Sequence, residues 1–322
     1  MKLIFCKVIK FFYRLVCKII YLCIPLVSKI LVIFRLQSRI INQLNKLRLE
    51  SHLNENYINL ISKLLVNNKL VALDVGAQGG FNGNIFPKKY NIFFIPILVE
   101  PIKDEAQKLI EQNYKVISKG LWSSKCTKKL YIMEKRPGSS SMFRPNKDAF
   151  NLYNFKKSNH QLFEVSKTTD VECTTAEESL NALDIKNLDF LKIDTQGAEL
   201  EILKGLGNYF PLLMKVEAQI IPMYENAPNW GELINYMNNL NYMTCEWSEI
   251  GTHATRSPAE MDMLFIPNYL SDFGKKLILS REREFICLML IFGQIKLLQA
   301  ISEKLNFSIN SKIQNLRDKF FQ

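Results

Sequence analysis

At 322 residues, with 48% hydrophobic and 23% charged side chains, the chain has room for a substantial core and excludes a disordered or fibrous class. The net charge of +11 is not spread along it: the first fifty residues hold ten Lys or Arg against Glu50 alone, which leaves +2 for the remainder and no compositional case for a nucleic-acid partner. Seven cysteines, Cys6, Cys17, Cys23, Cys126, Cys173, Cys245 and Cys287, form no close C-x-x-C pair, which fits a reducing compartment and gives no zinc or disulfide framework.

Residues 1–50 read as a basic helical segment. Lys7, Lys10, Arg14 and Lys18 fall within roughly one quarter of a helix turned at about 100° per residue, leaving a broad apolar face. Such a helix suits a membrane surface, with residues 1–40 as the contact and the cytoplasm as the compartment. A spanning helix needs about 20 apolar residues, whereas the uncharged run Ile19–Ser28 is about half that and contains Pro25. A single span from Ile19 to Phe34 is the alternative if Lys29 is tolerated. From Leu44 to Leu65 apolar residues recur at three and four, as in an amphipathic helix.

The first strand is expected at Leu70–Val75, running into Gly76-Ala-Gln-Gly-Gly80, where missing Cβ atoms let the backbone turn and approach a ligand. Phe81–Tyr90 reads as irregular. A second strand, Ile92–Val99, ends in Glu100, 26 residues after Asp74. An acid there can accept hydrogen bonds from both hydroxyls of a nucleoside ribose. Lys103–Gln112 follows as helix and Lys115–Ser118 as a third strand, where Ser118 stands at the usual place of a base contact. A strand at Lys128–Met133 leads into the polar loop Arg136–Met142. Further on, the strand Phe190–Ile193 puts Asp194 at its carboxyl end, and Leu212–Val216 repeats the pattern with Glu217. A helix at Trp230–Leu240 and strands at Tyr242–Trp247 and Met263–Ile266 follow, the last after a loop holding His253 and Asp262. Beyond Leu270, the apolar run Phe285–Ile295 and helical spacing to Leu316 predict one or two helices. Their apolar face suits the N-terminal helix, a second copy of the chain or the membrane surface.

Phe190-Leu-Lys-Ile-Asp-Thr-Gln-Gly-Ala-Glu-Leu-Glu-Ile-Leu-Lys-Gly205 resembles, residue for residue, the L-K-I-D-x-x-G-x-E-x-x-x-L-x-G signature of the FkbM methyltransferases. Asp74-Val-Gly-Ala77, Val99-Glu-Pro101, Gly138-Ser-Ser-Ser141 and Asp262-Met-Leu-Phe265 fit that family in order, over roughly Val71 to Phe265. The resemblance implies a class I methyltransferase fold, a Rossmann-like seven-stranded, mostly parallel sheet with its last strand antiparallel. The expected organisation is a membrane-associated segment 1–50, a catalytic domain 51–270 and a helical extension 271–322. It also implies S-adenosyl-L-methionine as cofactor, held by Asp74, Gly76, Ala77, Gln78, Gly80, Glu100 and Ser118. Transfer to a hydroxyl of a glycan or other natural product follows, with Asp194, Glu217 and His253 as candidate catalytic groups and no metal. A small-molecule or lipid-linked glycan at the inner membrane face is the acceptor this suggests. Gln78 departs from the D-x-G-x-G pattern but can donate to a carboxylate. Two rival classes are an NAD-dependent oxidoreductase, whose G-x-G-x-x-G this loop does not supply, and a non-catalytic membrane-associated binding protein.

Overall fold

The computed structural model describes residues 53–66, 68–77, 79–82, 85–151, 157–250 and 258–316. The basic N-terminal segment, Gln78 and His253 lie outside them. The described chain opens with α1 (Glu55–Leu65), whose Asn54 side chain accepts from the Asn56 amide as an N-cap. Then come β1 (Leu70–Val75), β2 (Phe94–Val99), α2 (Lys103–Glu111) and β3 (Lys115–Ile117). Pro96 is tolerated inside β2 because β3 pairs only from Ile97 onward.

Next, β4 (Gly120–Leu121), β5 (Cys126–Ile132) and β6 (Lys167–Thr174) form a separate three-stranded sheet in the order β4-β6-β5. Only its β5 strand is evident from the sequence. β6 alternates exposed and buried residues over its second half, with Val171 and Cys173 inward, so it presents too few apolar residues to register as a strand.

α3 (Ala176–Ala182), β7 (Phe190–Ile193), α4 (Glu199–Lys204), β8 (Leu213–Gln219), α5 (Trp230–Asn239), β9 (Tyr242–Ile250) and β10 (Glu260–Pro267) complete the large sheet. Its order is β3-β2-β1-β7-β8-β10-β9, and β10 runs antiparallel to both neighbours. This is the expected seven-stranded class I methyltransferase sheet. Among the strand boundaries that shift from expectation, two move site residues: Glu217 lies inside β8 rather than after it, and Asp262 lies inside β10 rather than in a loop.

Each strand alternates between two cores. Leu73, Val75, Leu191, Ile193, Met214 and Val216 face α3, α4 and α5, while Leu70, Ala72, Phe190 and Leu213 face α1 and the C-terminal helices. On that second face the next inward position of three strands is charged: Asp74, Lys192 and Lys215. These three are in register across β1, β7 and β8. The face therefore changes from apolar to polar within one strand step, toward the carboxyl ends of the strands.

The C-terminal helices cover its apolar half. Instead of one or two helices, four stand among the described residues: α6 (Asp272–Ser280), α7 (Glu282–Ile291), α8 (Ile295–Lys304) and α9 (Asn310–Gln314). Phe285 through Ile291 in α7 are fully buried. At about 1.5–3 kcal/mol per buried large apolar side chain, α7 is a principal contributor to this core. Phe86, Phe190 and Phe292 meet edge-on or tilted beneath it. Arg281, between α6 and α7, donates to the Leu188 carbonyl at 2.8 Å and pairs with buried Asp189, fixing the helices to the start of β7.

Candidate functional site

A cavity of about 660 Å³ opens at the carboxyl ends of β1, β2, β7 and β8. It lies within the size range of ordinary ligand pockets and at the place where open α/β sheets bind them. The β4-β6-β5 sheet and the serine loop form an opposite wall through Leu130, Ile132, Gly138, Ser140 and Met142.

At one end stands Glu100. β2 delivers it beside β1, where its Oε1 accepts from the Ile102 amide at 2.9 Å and its own amide donates to the Ile117 carbonyl at 3.2 Å. Burial pushes its carboxyl above the usual range, against the Ile102 hydrogen bond. Gly76 lines the middle. Its φ is +82°, and a Cβ built there would lie 2.0 Å from the Asp194 carbonyl oxygen, so the first turn and the turn after β7 touch with no room for a side chain. The Asp194 amide donates to the Val75 carbonyl at 3.1 Å, closing the same contact.

Lys192 rises from β7 between the two turns. Its Nζ lies 3.2 Å from Asp74 Oδ1, 3.5 Å from Asp194 Oδ2 and 3.2 Å from the Gly76 carbonyl. Burial alone would favour the neutral amine, but Asp74 and Asp194 outweigh it and hold the ammonium above its ordinary pKa. Asp74 is almost wholly buried, and burial pushes its carboxyl up while Lys192 opposes it. Asp194 keeps 40% of its side chain exposed, so of the two acids it is the one an incoming ligand meets.

At the far end, the Gln196 amide bridges two carboxylates, donating to Asp194 Oδ1 at 3.2 Å and Glu217 Oε1 at 2.8 Å. Gln196 sits at φ +59° in the left-handed region, and its side-chain oxygen accepts from Tyr224 Oη at 3.0 Å. Ser141 Oγ donates to the Gln196 carbonyl at 2.6 Å, and Tyr224 also reaches the Ser139 carbonyl at 2.7 Å. The serine loop is thereby tied to the turn after β7. Burial raises Glu217 well above the carboxylate range, reinforced by Glu260, Asp194, Glu199 and Asp262. Behind it, Glu199 accepts from the Thr195 amide and hydroxyl and the Gly197 amide, yet burial still carries it up to about 7. Lys215 and Asp262 form an ion pair on the cavity floor.

Of the residues singled out from the sequence, Gly76, Glu100, Asp194 and Glu217 line this one cavity, and Asp74 sits directly beneath it. Ala77 is buried in the core beside α1, and Gly80 faces Tyr114 rather than the cavity. Ser118 is exposed and is not among the cavity residues, because β3 ends at Ile117 and the wall resumes at Gly120. Lys192, Gln196, Lys215 and Tyr224 were not singled out. A signal existed for two of them: a lysine inside a buried apolar strand, as in Phe190-Leu-Lys-Ile193 and Leu213-Met-Lys-Val216, is expensive without a carboxylate partner. Among the described residues no group of three or more His, Cys, Asp or Glu is placed to hold a metal ion.

Comparison with known proteins decides the family. The Methyltransferase FkbM domain matches residues 42–243, well over half of the chain. The chain belongs to the FkbM methyltransferase family. No curated protein matches it. Among solved structures, it is similar to a prophage-encoded E. coli chain described as a candidate DNA modification methyltransferase, at 8% identity, over 63% of this chain and 48% of that one, with a TM-score of 0.34. The match therefore spans about half the length of that E. coli chain. It is also similar to precorrin-6y C5,15-methyltransferase of Geobacter metallireducens GS-15, at 13% identity, 65% and 86% coverage and a TM-score of 0.29. A third is an O-methyltransferase of Bacillus cereus solved with SAH, at 13% identity, 71% and 89% coverage and a TM-score of 0.28. The FkbM match includes Asp74, Gly76, Glu100, Lys192, Asp194 and Glu217, and ends in β9 before β10 and the C-terminal helices.

Proposed function

We propose that this FkbM methyltransferase uses S-adenosyl-L-methionine to methylate a hydroxyl on a glycan or other natural-product acceptor at the inner membrane face. One observation carries the reading: a nucleoside-type acid, Glu100, and a pair of bridged carboxylates, Asp194 and Glu217, stand at opposite ends of one cavity with the Gly76 turn between them. The residues fit the cofactor. Glu100 offers an acceptor for ribose hydroxyls, the Gly76 turn brings bare backbone to the cavity, and carboxylates outnumber lysines along the lining, as a sulfonium cation favours. When bound, the cofactor supplies an electrophilic methyl group.

The chain's own residues then have separable tasks. Glu100 and the Gly76 turn hold the donor. Asp194, fixed by Lys192 and Gln196, accepts a hydrogen bond from a neighbouring hydroxyl of the acceptor and so sets the direction of the reacting one. Glu217 takes the hydroxyl proton, because burial and the neighbouring carboxylates raise its basicity above that of an ordinary carboxylate. The basic segment 1–40 supports an acceptor held at an anionic membrane surface.

Methyl-labelled S-adenosylmethionine offered with membrane vesicles and, separately, with free sugars tests this. Label is expected in the vesicle glycans, with Glu217→Gln lowering the rate about 100-fold or more. The rate should rise with pH through a limb above the usual carboxylate range. Glu260→Gln should move that limb to lower pH, since it removes a like charge beside Glu217. Equal activity on free sugars by a chain lacking residues 1–40, with membrane association intact, would contradict the membrane part. Label on nitrogen or carbon would contradict O-methylation.

A further inference from the structure

Lys192 Nζ lies among three oxygens, one carbonyl and two carboxylate, and these belong to two different loops. Asp74 and the Gly76 carbonyl end β1, on the donor side of the cavity. Asp194 ends β7 and joins the acceptor side through Gln196 and Glu217. The Lys192 side chain is only 12% exposed, and its Nζ donates to the Gly76 carbonyl while pairing with both carboxylates.

The backbone contact between the loops does not make Lys192 redundant. The Asp194 amide bond to Val75 sets where the turns meet, but not where the Asp194 carboxylate points. That direction is set by Lys192 on one oxygen and Gln196 on the other. Without the ammonium, Asp74 becomes a buried carboxylate with no cation, and Asp194 keeps only the amide. We propose that Lys192 is a positioning residue that couples the donor loop to the acceptor carboxylate, so that the state of Asp194 is felt at the cofactor site and the reverse. This rests on the reading of the cavity as an S-adenosylmethionine site.

Thermodynamic coupling has a direct readout that needs no acceptor: a double-mutant cycle on S-adenosylhomocysteine affinity in the full chain. Asp194→Asn in the wild-type background is expected to change affinity about fivefold to tenfold. In a Lys192→Met background the same change should have no further effect, because the coupling route is gone. Glu105→Gln, at a cavity side chain that pairs with Lys108 and not with Lys192, Asp194 or Gln196, should act equally in both backgrounds. If Lys192→Met lacks a cooperative melt, the cycle is run on Asp74→Asn/Lys192→Met, which removes the buried charge and its partner together.

An Asp194→Asn effect that persists unchanged without Lys192 would overturn the proposal, since Asp194 would then act on the ligand by itself. So would an affinity that neither substitution moves. Failure of wild type to bind S-adenosylhomocysteine at all is a separate outcome, which removes the cofactor reading and the coupling with it.

Discussion

Gly76 and Gly79 both carry positive φ, yet they test different things. A Cβ at Gly76 would strike the Asp194 carbonyl at 2.0 Å, whereas at Gly79 nothing lies within 4 Å. Gly79→Ala should therefore lower stability by about 1–2 kcal/mol from backbone strain alone, with ligand affinity near wild type. Gly76→Ala must also push the β7 turn away, moving Asp194 and the Lys192 contacts with it. S-adenosylhomocysteine binding should fall beyond detection, while circular dichroism still reports a folded domain. Equal effects of the two substitutions would show that the turn needs only its dihedral and not the close approach. The same contrast explains the uneven legibility of the loop: Gly-Ala-Gln-Gly-Gly announces a turn, but which glycine is pressed against β7 depends on a strand more than a hundred residues away.

The elements nearest the motifs were legible, and those defined by their partners were not. Phe190–Ile193 emerges with its expected bounds because a short apolar run ending in Asp-Thr-Gln-Gly has few alternatives. β4, β6 and α3 escaped notice since their inward residues, Val171, Cys173, Ala176 and Leu180 among them, are small in number and interleaved with charge. The site suffered likewise. Glu100 and Asp194 sit at strand ends and could be placed, whereas the Gln196 bridge depends on a left-handed turn and on Tyr224 reaching across from another loop. The C-terminal run was readable as helix but not in its role, because a helix apolar all round does not say what covers it. Its packing on α1 and the sheet sets an energetic expectation. Leu290→Ala, at a fully buried site, should destabilise by about 2–5 kcal/mol in urea titrations. A change below the error of the measurement would mean that α7 does not share the core with the sheet.

At the scale of the whole molecule, several buried acids set an unusual pH dependence. Burial raises Asp189 from 3.8 to about 6, with the Val71 amide and Arg281 opposing it. It raises Glu199 from 4.5 to about 7, and Glu260 likewise to about 7, with Arg136 opposing the latter. In the unfolded chain these acids lose their protons near the ordinary values, so between about pH 4 and 7 the folded state binds more protons than the unfolded. Stability contributed by these groups is fully present at the acid end of that window and declines as pH rises through it, by up to about 1.4 kcal/mol per unit for each group. Melting midpoints should fall from pH 5.5 to 8, and Glu199→Gln should flatten the slope. Midpoints that climb over this range would show that these acids are ionised in the folded chain. The fold, the family and the polar row Asp74-Lys192-Lys215 all converge on the cavity at the carboxyl ends of the strands, and its occupant is the central claim. The most direct test is calorimetric titration of the full chain with S-adenosylhomocysteine and, in parallel, with NAD. One saturable S-adenosylhomocysteine site, lost in Glu100→Ala, with no heat from NAD, is the expected result; binding of NAD, or of neither, would contradict it.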